Sequence, residues 1–89
     1  MIIVTPQQAR ILDVLKARVG ERLTGRSLAK AAGIPSLNTL GVQIYNLRER
    51  FGPALDLDSE TYGPSRGYVF NGLSMPYAYR ERIVREVAL

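Results

Sequence analysis

Apolar residues recur along this chain with one spacing up to about residue 51 and another after it. Ala9, Leu12, Val14, Leu15 and Val19, broadened by Ile11, form a stripe of helical period. It starts behind Thr5-Pro6-Gln7-Gln8, a capping box with Pro at the first helical position, and ends at Gly20. Ile2 to Val4 reads as a short strand leading in. Thr24 is placed to cap a second helix through Leu28, Ala29 and Ala32, which Gly33 stops. After Ile34-Pro35, Ser36 caps a third helix over residues 37–51, in which Leu37, Leu40, Ile44, Leu47 and Phe51 predict one continuous buried seam.

Beyond Gly52-Pro53 the period shortens to two. Leu55 and Leu57 alternate with Asp56 and Asp58, and Tyr68 and Phe70 flank Val69, so a hairpin with a loop over 59–66 is expected. Past Asn71-Gly72, Tyr79, Ile83, Val84 and Val87 lie opposite Arg80, Arg82, Arg85 and Glu86, a pattern that predicts an amphipathic C-terminal helix over about 76–88. The expected order is strand, three helices, hairpin, helix. It makes one α+β domain over 1–89, with a helix-turn-helix at about 25–51 and a hairpin wing at about 54–71. A hairpin directly after the third helix predicts a winged helix, whose third helix enters the major groove.

Composition narrows the chemistry. The 89 residues suit one modest core, and 46% apolar with 22% charged residues is ordinary for a globular chain. With no Cys and no His, a disulfide framework, a thiol nucleophile and the common zinc sites are excluded. The usual nucleophile–base pairs and a Gly-rich phosphate loop are missing as well, so neither an enzyme nor a cofactor is expected. Three apolar residues after Met1 are too short for a signal peptide or membrane span, and a cytoplasmic setting without membrane partners is the expectation.

The net charge of +4 is unevenly spread. From Arg10 to Lys30 six bases face two acids, whereas from Arg48 to Arg66 three bases face four acids. The third helix itself shows amides, hydroxyls and an aromatic on its polar surface. Asn38, Thr39, Val42, Gln43, Asn46 and Arg50 are the candidate base readers, since Asn and Gln pair bidentately with adenine and apolar groups meet the thymine methyl. Arg26, Tyr45, Arg48 and Arg66 are the candidate backbone contacts. Asp56, Asp58 and Glu60 are expected to point away from a duplex or to pair with Arg48 or Arg50.

Four stretches resemble the winged-helix DNA-binding domain of OmpR/PhoB-type response regulators. They are Thr5-Pro6 with Ile11-Leu12 and Leu15, then Gly20 to Thr24 with Arg26 and Leu28, then Thr39 to Arg48, and Arg66-Gly67-Tyr68-Val69-Phe70. The resemblance covers roughly residues 4–71 and implies sequence-specific binding of double-stranded DNA in transcriptional regulation, with helix 37–51 in the major groove. There are departures. The resemblance is to the effector domain alone, without an expected phosphoacceptor domain; one short strand stands where the family has a small sheet, and the loop between the second and third helices is shorter. Tyr45 and Asn46 occupy places where the family usually has arginine. The alternative is a winged helix that docks on protein, either RNA polymerase or another regulator. A homodimer through the C-terminal helix would extend the short footprint of a single module.

Overall fold

The computed structural model describes residues 2–60, 63, 66–79 and 82–84. Among them the chain is α+β, with three helices and two three-stranded sheets. The elements run β1 (Ile2–Ile3), α1 (Pro6–Ala17), β2 (Arg22–Leu23), α2 (Gly25–Ala32), α3 (Leu37–Phe51), a single 3-10 turn (Gly52–Ala54), β3 (Leu55–Glu60), β4 (Gly67–Leu73), β5 (Tyr77–Tyr79) and β6 (Arg82–Val84).

Each helix begins where a side chain satisfies its otherwise unpaired first amides. The Thr5 hydroxyl accepts from the Gln8 amide while the Gln8 side chain accepts from the Thr5 amide, completing the capping box of α1. Thr24 accepts from the Ser27 amide and Ser36 from the Thr39 amide. The stop of α2 is as specific. Gly33 is left-handed at φ 69°, and the Ile34 amide donates back to the Ala29 carbonyl at 2.8 Å, closing a Schellman-type turn over a buried Ile34. The Arg10 Nε adds a bond of 2.8 Å to the Ala32 carbonyl, so α1 also holds that helix end. Four residues, 33–36, then suffice to turn the chain from α2 into α3.

The core is one cluster. Ile11, Leu12 and Leu15 of α1, Leu28 and Ala32 of α2, and Leu40, Ile44, Leu47 and Phe51 of α3 meet Leu55, Leu57, Phe70 and Leu73 of the β3–β4 hairpin. Two positions depart from the expected stripes. Val19 lies past the end of α1 and is exposed, and Leu37, the first residue of α3, is 55% exposed because it overhangs the core by one turn.

Both sheets contain strands that the sequence pattern does not announce. β2 has only two residues, but it pairs antiparallel with β4 through Arg22↔Val69 and Leu23↔Tyr68, so the sheet order is β2-β4-β3. β3 and β4 pair from Leu55↔Leu73 to Glu60↔Gly67, with a bulge between Asp56 and Leu57. The expected C-terminal helix over 76–88 is corrected. Tyr77–Tyr79 and Arg82–Val84 are antiparallel strands, and β5 runs parallel to β1 through Ile2↔Tyr77 and Ile3↔Ala78. Residues 80–81 and 85–88 of the expected helix lie outside the described residues. The reason for the strand is tertiary. Tyr77 is wholly buried, with its ring edge-on to Phe51 at 5.9 Å and the Lys16 ammonium 5.1 Å from its centroid, so the segment is held extended beneath α1 and α3.

Candidate functional site

The outward surface of α3 and the clefts beside it gather most of the candidate residues, in three different situations. Asn38, Val42 and Tyr45 point into solvent, Val42 at 57% and Tyr45 at 63% exposure. Thr39 and Asn46 are half-buried at the edges of this face, and the Thr39 hydroxyl accepts a bond of 3.0 Å from the capping Ser36. Gln43 is half-buried, and Arg48 and Arg50, though exposed, hydrogen-bond to neighbouring elements.

Gln43 takes part in a relay of amides. The Gln8 Nε2 donates to the Gln43 Oε1 at 3.1 Å, and the Gln43 Nε2 donates to the Gln7 Oε1 at 3.1 Å. Since the Gln8 Oε1 also caps α1 through the Thr5 amide, the start of α1 is fastened to the middle of α3. The structure thus gives this expected base reader a packing task. Gln43→Ala is expected to destabilise the fold by about 1–2 kcal/mol through two lost, partly buried hydrogen bonds. A surface residue would change stability by only about 0.5 kcal/mol either way. Urea unfolding of the parent and the variant decides between them.

The arginines follow the same logic. Arg48 donates from Nη2 to the Leu57 carbonyl at 2.8 Å and to the Ser59 hydroxyl at 3.1 Å, bracing β3 against α3. Arg50 donates to the Ile3 carbonyl and ties the end of α3 to β1. Both bond to strand groups, so of the two expectations for the acids, pointing away or pairing with Arg48 or Arg50, the described contacts do not show the pairing. Asp56 and Asp58 are instead bridged by Asn71, whose Nδ2 donates to them at 3.1 and 3.2 Å. These two acids alternate with the buried Leu55 and Leu57, which puts them on the face of the hairpin turned away from the core.

Arg26 and Arg66 are differently placed. They line one groove of about 450 Å³, bounded by Thr24 and Gly25 at the start of α2, Leu37 and Leu40 of α3, and Ser59, Glu60, Gly67 and Tyr68 of the β3–β4 hairpin. The groove joins two exposed guanidinium side chains to the positive end of a helix, and Glu60 is the acid within it. A second, shallower concavity of about 340 Å³ lies on α3 itself, between Leu37, Asn38, Gly41, Val42 and Tyr45. Leu37 borders both.

No protein-family model, curated protein or solved structure matches this chain. The site is therefore read from its own geometry. Among the described residues no group of three or more His, Cys, Asp or Glu is arranged to hold a metal ion, and no helix is long and apolar enough to cross a membrane. Of the residues singled out in the sequence, Arg26 and Arg66 line the larger groove and Asn38, Val42 and Tyr45 the shallower one. The sequence pattern did not show the exposure of Leu37 or the concavity at Gly41. Leu37 sits at the correct spacing for the seam but in the first helical turn, and only the position of the core relative to that turn exposes it.

Proposed function

We propose that this protein is a winged helix that binds double-stranded DNA sequence-specifically and acts in transcriptional regulation, with α3 in the major groove and the β3–β4 hairpin as the wing. One observation carries the reading. The outward face of α3 is left unpacked directly beside a groove where Arg26, Arg66 and the N-terminal end of α2 converge. A duplex laid along α3 places a phosphate in that groove, where guanidinium groups and helix amides favour a negative charge. The outward residues Asn38, Val42 and Tyr45 then meet base edges, with Thr39 and Asn46 at the margin. Gln43, Arg48 and Arg50 tie α3 to α1, β3 and β1 through their hydrogen bonds.

The exposed apolar trio Leu37, Val42 and Tyr45 favours a second reading, in which the same face docks on a protein such as RNA polymerase or another regulator. The two readings separate on salt and sequence. Duplexes selected from a random pool are titrated by fluorescence anisotropy at several salt concentrations. The DNA reading expects sequence-dependent binding that weakens steeply with salt. It expects Arg26→Ala and Arg66→Ala each to reduce the slope of log K against log salt by about 1. Binding that selects no sequence, or a slope that neither substitution changes, overturns the DNA reading in favour of the protein-docking one.

A further inference from the structure

The middle of α3 contains a residue that the fold does not need. Gly41 is exposed within a 15-residue helix, and a Cβ built on it would meet nothing within 4 Å. Glycine inside a helix lowers stability relative to alanine, because it has more backbone freedom to lose and no side chain to shield the backbone. Alanine would therefore suit the isolated protein better at this position. What glycine provides is a bare stretch of helix backbone, flanked by the exposed Asn38, Val42 and Tyr45, which leaves room for another surface to come within van der Waals contact.

Building on the DNA reading above, we propose that the Gly41 notch is a thymine-methyl subsite. The methyl is the one apolar group on a base edge in the major groove, and it distinguishes thymine from the other bases there. At Gly41 it rests on the helix backbone, and the exposed side chains of Val42 and Tyr45 cover its sides. Asn38 lies three positions earlier on the same helix surface and supplies the amide that pairs with adenine N6 and N7 at a neighbouring step. The occupant follows from charge and continuity. The notch shares Leu37 with the groove that contains Arg26 and Arg66, so a polyanion held there by its phosphates lays its base edges across α3 at Gly41. The operator therefore carries thymine opposite the notch.

The test pairs Gly41→Ala with removal of the methyl. Duplexes selected with the parent are remade with each thymine replaced in turn by deoxyuridine, which deletes only the C5 methyl. Binding is measured by anisotropy and thermal unfolding by circular dichroism. Gly41→Ala is expected to raise Tm by roughly 4–8 °C and to weaken binding of the selected duplex by about tenfold, the size of one lost base contact. For the parent, one deoxyuridine replacement weakens binding by about fourfold, the effect of one buried methyl, and Gly41→Ala abolishes that sensitivity. An unchanged or lowered Tm means that the fold itself needs Gly41, and overturns the inference. So does unchanged affinity in the variant, or a parent that selects a sequence yet ignores every methyl. A parent that selects no sequence at all overturns the DNA reading and this inference together, which separates the two failures.

Discussion

Tyr77→Ala is expected to lower the unfolding free energy by about 3–5 kcal/mol, the range for removing a fully buried aromatic ring. The ring has no exposed surface and makes its edge-on contact with Phe51 across the junction of α3 and β5. A domain of this size has a total stability of roughly 4–13 kcal/mol, so the substitution removes about a quarter of it or more. Urea titration followed by far-ultraviolet circular dichroism measures the loss. The result also decides how the C-terminal segment belongs to the domain. A loss below about 1 kcal/mol, the size of a surface substitution, would show that Tyr77 is not packed in the core. A loss in the larger range requires β5 to be an integral wall of the core.

Gly67→Ala is expected to be nearly as damaging, for a backbone reason. Gly67 opens β4 at φ 132°, a conformation that side chains rarely adopt, and a Cβ there would stand 2.5 Å from the Leu23 carbonyl oxygen. The neighbour is backbone of β2 and cannot rotate aside. Strain at such a position costs about 1–3 kcal/mol, and β2 must additionally move away from β4. We expect a total loss of about 2–4 kcal/mol, together with faster amide exchange at the β2–β4 pair Leu23↔Tyr68, measured by hydrogen exchange in the parent and the variant. Exchange at the α1 amides changes only as far as global stability does. A stability change below about 0.5 kcal/mol would show that β2 does not hold this close approach in solution.

These two substitutions bear on parts of the molecule that differ in how far they could be read in advance. The starts of the three helices were legible because capping is local. Thr5, Thr24 and Ser36 each lie three residues before the amide they accept from. Gly33 was legible as a stop for the same reason, since its turn bonds back only to Ala29 and Lys30. Leu40, Ile44, Leu47 and Phe51 were legible as a buried seam because helical period alone places them on one side.

The C-terminal segment misled because its apolar spacing fits a helical stripe, while its strand pairing depends on Ile2 and Ile3 at the other end of the chain. β2 went unread because two residues are too few to show a period, and only their pairing with β4 makes them a strand.

The candidate site divides along the same line. Residue chemistry indicated which side chains suit a base edge or a phosphate, and helical spacing put Asn38 and Val42 on one surface four positions apart. Which of the polar side chains are engaged within the fold was a matter of what lies opposite. Gln43 meets Gln7 and Gln8, Arg48 meets the Leu57 carbonyl, and Arg50 meets the Ile3 carbonyl, all through contacts between elements. The sequence by itself determined the helix starts, the hairpin alternation and the chemical repertoire of α3, since each rests on neighbours a few residues apart. The tertiary structure alone decided the C-terminal strands, the exposure of Leu37 and the choice of residues left facing outward, because each depends on which distant group fills the space beside it.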